Sequence, residues 1–274
     1  MKAVRSLACA SLAVLALAGC SSATDESSTA PSSSQKKYED GQKATVKTVD
    51  SGNTVTVDID GVQKQVRLVN VVAPSENNNV PSGTCLIAES KKFLADKLPE
   101  GKEVTLKFDP AQIGSSGFLE SAVYVGDDFI NKDVVGAGMA ATTFTTAKDK
   151  FYPEISQAQQ QAAEDGKGLY SKDVECTIPH QIEQALDEAK SASDIKDEDE
   201  RKATYRKSSQ VYNDLDESIS KPATYVGSIV TLDAVRDQMK ELRDELGDHY
   251  YDEKGETAAD KASASASASA RPGQ

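Results

Sequence analysis

ATVKTVDSGNTVTVDIDGVQKQVRLVNVV, residues 44–72, decides the fold. Val55, Val57 and Ile59 alternate with polar residues, the two-residue period of a half-buried strand. The run Ala44 to Val49 precedes it across the turn Asp50-Ser51-Gly52, and Asp60-Gly61 is a tight hairpin dipeptide. The returning strand runs from Val62 through Val66 and Leu68 towards Val72, so three antiparallel strands follow one another along the chain.

Beyond this meander lies a loop rich in Asn, Pro and Gly, Pro74 to Gly83, and then Leu86, Ile87, Phe93, Leu94 and Leu98 recur at helical spacing. Strands are expected at Glu103 to Phe108 and Leu119 to Val125, with a short helix near Asn131 to Ala137 and a longer one over Glu154 to Glu164. Together these predict an α+β class: a five-stranded OB-fold barrel with edge helices over 38–175. A closed barrel exposes no strand edge.

Residues 176–256 read as an acidic helical region. Ile182, Leu186 and Ala189 mark one short helix; Tyr205, Tyr212, Leu215 and Ile219 mark a second, interrupted by Lys221-Pro222. Ile229, Leu232, Val235, Met239, Leu242 and Leu246 then form a stripe of coiled-coil type. A self-contained helical hairpin or small bundle is expected, in preference to a coiled coil with a protein partner, which the sequence does not name. Residues 257–274, with Ala and Ser alternating over 262–270, bury no core and are expected to be disordered.

The other end is an export signal: Lys2 and Arg5, an apolar run Leu7 to Ala18 too short to cross a bilayer, and small residues to position 19. Leu17-Ala18-Gly19-Cys20 resembles the bacterial lipobox, which implies lipidation of Cys20 and anchoring to the outer face of the cell membrane; a secretory leader cut near Ala18 is the plainer reading. Residues 20–37 then form a Ser/Thr/Ala-rich tether. With Cys9 discarded and Cys20 lipidated, Cys85 and Cys176 remain, most simply as one disulfide in a non-reducing compartment. Free thiols or a metal pair are the alternatives, the latter opposed by the presence of only His180 and His249 and no CxxC or HxxxH spacing.

The net charge is −13, about −15 once Lys2 and Arg5 are removed. Residues 41–172 carry 14 Lys/Arg against 17 Asp/Glu, residues 173–256 only 11 against 22, so the acidity belongs to the helical region. Tryptophan is absent, no basic stripe interleaves with aromatics, and there is no phosphate-cradling Gly-rich loop or Ser-His-Asp arrangement.

Four ordered motifs carry a family resemblance over roughly 38–172. Val49-Asp50-Ser51-Gly52-Asn53-Thr54-Val55 resembles the "DGDTV" turn of the thermonuclease (staphylococcal nuclease) family, and Val66 to Glu76 resembles its "RLxxVDTPE" strand. Ile130 to Ala140 is similar to its "VNxxLVxxGxA" helix, and Gly168-Leu169-Tyr170 to its "GLW". Cys85 and Cys176 fall where secreted relatives pair cysteines.

The resemblance implies hydrolysis of DNA and RNA phosphodiesters with calcium: carboxylates holding the ion, a carboxylate activating water, and two guanidinium groups balancing the phosphate. In this chain the first metal carboxylate falls on Asn53 and the second on Val72; Ala73 retains a backbone carbonyl. The glutamate falls on Ser75, with Glu76 one residue later. Arg67 matches the first arginine, whereas Phe118 takes the place of the second. Loss of a single transition-state donor costs on the order of 10² to 10³ in rate, so the expectation is a pseudoenzyme acting as a binding or envelope module with no cofactor. The alternative is a weak calcium-dependent nuclease with Asp50 and Asn53 as metal ligands and Arg67 and Glu76 as catalytic residues. Arg67 reads equally as a structural ion-pair residue. Nucleic acid is the partner the resemblance implies, though composition lends it little support; the membrane is the partner implied by Cys20.

Overall fold

A computed structural model describes residues 38–77, 81–109, 117–143, 149–221 and 224–269. Cys20, the leader and the tether lie outside the described residues, and so does position 9. Among the described residues no helix is long and apolar enough to cross a membrane.

β1 (Gln42–Val49), β2 (Thr54–Ile59) and β3 (Val62–Leu68) form the expected antiparallel meander. Asp60 and Gly61 both take positive φ, 54° and 82°, as a two-residue hairpin of the strand-matching hand requires, and the Asp58 carboxylate accepts from the Gly61 amide. β3 stops earlier than its apolar run suggests. Asn70 enters the left-handed region at φ 59°, a conformation Asn tolerates better than most residues, and the chain resumes as a separate two-residue strand, β4 (Val71–Val72).

α1 (Ile87–Lys97) follows, then β5 (Glu103–Lys107), β6 (Leu119–Val125), β7 (Asp128–Phe129) and α2 (Ile130–Gly136). The sheet order β3-β2-β1-β5-β6 is closed by a parallel pairing of β3 with β6, Val66 to Leu68 against Leu119 to Ser121. This is the predicted five-stranded barrel. Val46, Val55, Val57, Val66, Leu68, Leu106 and Val123 fill its interior, with Leu94, Ile130 and Val134 from the helices.

Asn131 pins the closing seam. Its side chain is fully buried; Oδ1 accepts from the Val123 amide at 2.9 Å, and Nδ2 donates to the Val69 and Ser121 carbonyls at 2.9 and 3.3 Å. A short parallel pairing is thus reinforced by one amide that bonds both strands, in a core where an unmade bond is costly.

β8 (Ala141–Thr142) pairs with β4, and α3 (Tyr152–Glu164) crosses behind it. The acidic region supplies α4 (Ile178–Ala192), α5 (Glu198–Ile219), α6 (Tyr225–Val230) and α7 (Asp233–Leu246), capped by the Thr177, Asp197 and Thr224 side chains at the first three N-termini. Two sequence expectations change here. The apolar stripe from Ile229 to Leu246 does not form one coiled-coil helix: it breaks at Thr231 and Leu232 between α6 and α7, and its residues pack against α4 and α5. Nor is the bundle self-contained. Its core continues through Ala162, Leu169, Tyr170, Ala141 and Cys85 of the barrel domain, and Tyr38 onward forms a single compact unit rather than two domains parted near 175.

Cys85 and Cys176 are disulfide-bonded with 5.3 Å between Cα atoms, closing a sequence separation of 91 residues. In the chain-entropy account such a loop contributes about 4 kcal/mol. The Ala/Ser tail also departs from expectation: Ala258–Ser269 is a helix, α8. Thr257 and Asp260 exchange capping hydrogen bonds at its start, Lys261 pairs with Asp252 at 2.6 Å, and alanine is the best helix former.

Replacing Asn131 by Ala strands the Val123 amide and Val69 carbonyl in the core. A loss of roughly 3 kcal/mol is expected, read from the urea midpoint at unchanged m-value.

Candidate functional site

The turn after β1, the end of β3 and the β4–β8 pair surround a cleft of about 490 Å³. Ser51, Asn53 and Thr54 line it from the turn; Arg67, Leu68, Val69 and Asn70 from β3 and its exit; Val71, Val72, Ala73, Ser75 and Asn77 from β4 and the following loop; Glu120 from β6 and Thr143 after β8 complete it. The turn is pressed against α1, for a Cβ on Gly52 would stand 1.9 Å from the Ser90 hydroxyl, so only glycine fits there.

Asn53 reaches the cleft, but its polar atoms are engaged within the protein. Nδ2 donates to the Val71 carbonyl at 2.9 Å, while Oδ1 accepts from the Ser51 and Thr54 hydroxyls at 3.0 and 3.3 Å. The amide therefore holds the turn to β4. A carboxylate in its place would lose the donor and face a carbonyl.

Asp50 does not join it. Its Oδ1 accepts from the Thr48 hydroxyl and its Oδ2 from that of Thr56, at 2.9 and 2.8 Å, and it is not among the cleft-lining residues. Glu76 is exposed in the loop and also fails to line the cleft; Ser75, at the aligned position, does line it, with its amide donating to the Gly83 carbonyl at 3.0 Å. Of the four candidate metal and catalytic residues, the structure thus brings Asn53 and Arg67 to the cleft and leaves Asp50 and Glu76 outside its lining.

Arg67 lies in the cleft with its guanidinium carbon 4.0 Å from the centroid of the Phe118 ring, a cation–π contact in which the residue taking the second arginine's place has become the platform of the first. Glu120 is opposite Arg67 in the parallel register and lines the same cleft. Sequence reading missed it. The alternation of β6 carries a signal, since Leu119 and Ser121 point inward and Glu120 must point out, but only barrel closure puts that outward face beside Arg67.

Val72 is half-buried and has two neighbours of opposite character: it lines the cleft and packs against the apolar core shared with the helical region. A carboxylate here would be drawn partly out of water against hydrocarbon. Calcium takes six to eight oxygens, several of them charged. The cleft's described lining offers Glu120 alone as carboxylate; residues 78–80, 110–116 and 144–148, outside the described residues, include no Asp or Glu in the sequence. No cluster of three metal-binding side chains occurs among the described residues. Among the described residues, the cleft's donor set does not fit calcium.

Residues 65–172 match the family model described as staphylococcal nuclease homologue. The chain is 31% identical over 126 residues to a thermonuclease of Staphylococcus intermedius, an alignment spanning 44% of this chain and 72% of that protein. It belongs to the staphylococcal nuclease family. A thermonuclease of Staphylococcus hyicus is 28% identical over 124 residues, covering 44% of this chain and 70% of its own. The family-model match runs from within β3 past α3 and leaves β1, β2 and α4 to α8 outside it.

Val72→Asp is expected to lower stability by about 1–3 kcal/mol at pH 7. The carboxyl's folded-state pKa would be raised by burial, so the loss shrinks as acidification protonates it; urea melts at pH 7 and pH 4 make the comparison.

Proposed function

We propose that this staphylococcal nuclease family member is a surface-tethered lipoprotein whose barrel is catalytically degenerate and serves as a binding or envelope module. The observation that carries the reading is the state of the cation corner: Val72 supplies no donor and is packed into the helical region's core, and the Asn53 amide is committed to Val71 and its own turn. The electrostatics agree, because one guanidinium stacked on an aromatic ring beside a glutamate leaves little net positive charge to balance a phosphate in transition. Support for the tether is the lipobox-like Leu17 to Cys20 followed by the Ser-rich stretch.

Purified mature protein at millimolar calcium should show no rise in melting temperature relative to chelator, since an ion binding only the folded state must raise it. Single-stranded DNA and RNA should remain intact under the same conditions. A calcium-dependent shift together with cleavage abolished by Arg67→Ala would instead establish the weak calcium-dependent nuclease.

For the anchor, wild-type cells fed radiolabelled palmitate should label the protein and retain it in the membrane fraction. Cys20→Ser should abolish both; unlabelled wild-type protein released to the medium would overturn the lipid assignment.

A further inference from the structure

The helical region and the cleft share a wall. Gln159 of α3, whose side chain is almost wholly buried, bridges the two sides: its Oε1 accepts from the Thr142 amide of β8 at 2.6 Å, and its Nε2 donates to the Ser228 carbonyl of α6 at 2.9 Å. Thr142 is paired with Val71 of β4, and the next residue, Thr143, exchanges bonds with Asn70: its amide donates to the Asn70 carbonyl at 3.1 Å and its carbonyl accepts from the Asn70 side chain at 3.0 Å. Val71, Asn70 and Thr143 all line the cleft.

A second tie runs beside the first. α6 packs on the 81–84 turn, whose Gly83 carbonyl holds the Ser75 amide at the cleft's mouth, and Cys85 just beyond is bonded to Cys176 ahead of α4. Val72 closes the circuit by contributing to the extension's core from the cleft wall. β4 and β8 are two residues each, too short to hold a sheet without outside support. The buried Gln159 side chain, bonded to β8 on one side and α6 on the other, provides that support.

From this we infer that the C-terminal helical region is the brace that sets the conformation of the cleft, with Gln159 as the positioning residue through which α6 holds the β4–β8 wall. Cleft and extension then constitute one cooperative unit, and whatever binds either one biases the other. This holds irrespective of what the cleft binds.

Amide hydrogen exchange on the full mature chain tests the coupling. In a denaturant series the wall segments 69–77 and 139–143 should open with the same denaturant dependence as 225–246 and ahead of the barrel strand 103–107. Gln159→Met, which keeps the volume and deletes both bonds, should accelerate exchange in the wall at least ten-fold and leave 103–107 unchanged. Gly227→Ala perturbs the brace from its far side, because a Cβ there would sit 1.9 Å from the Lys221 carbonyl, and should loosen the same wall segments. Wall segments that follow 103–107 in the wild-type series, or that accelerate no more than 103–107 in the variants, would overturn the inference. The wild-type series decides alone if neither variant folds.

Discussion

The closure of the barrel depends on a three-residue parallel pairing between β3 and β6, sealed by the amide of Asn131. Parallel pairs of that length are weak, and the buried Asn131 compensates by bonding the backbone on both sides of the seam. One side of the cleft follows from it. The seam places Arg67 beside Glu120, brings Phe118 beneath the guanidinium, and starts the chain into the Asn70 turn from which β4 diverges.

The proposed loss of the family's chemistry rests on the surroundings of these residues as well as on their identity. Val72 belongs to a continuous apolar surface reaching α4 to α7, and the Asn53 amide is a structural clamp between the turn and β4. Each residue suits its surroundings, the valine against hydrocarbon and the asparagine amide against the Val71 carbonyl. Hydrocarbon beside a metal site weakens charge solvation, whereas hydrocarbon beside a valine adds to the core.

The helical region packs with the barrel in one compact unit. The buried, doubly bonded Gln159, the disulfide from Cys85 to Cys176 and the buried Tyr170 at the family's terminal motif all sit on the shared boundary. Burial pushes the Tyr170 phenol well above its usual range, and its hydroxyl has no hydrogen-bond partner among the described residues, a local cost accepted for the area the ring buries. A domain boundary inferred from composition at residue 175 thus marks where acidity begins and not where packing ends.

The sequence by itself determined the barrel: the period-2 alternation of Val55, Val57 and Ile59, the Asp60-Gly61 hairpin and the helical spacing of Leu94 and Leu98 are local signals of the kind short-range geometry dictates. It also determined which side chains stand where the family motifs place their charged groups: Asn53, Val72, Ser75 and Phe118, none of them ionisable. Tertiary structure decided the rest. Asp50 turns to Thr48 and Thr56 and Glu76 is exposed, so neither lines the cleft with Asn53 and Ser75. Glu120 enters the cleft only through closure of the barrel, and Gln159, one glutamine in a run of similar residues, becomes a link only because β8 and α6 arrive on either side of it. Such contacts join residues distant in sequence, and no local pattern encodes which of several equivalent polar side chains will find a buried partner.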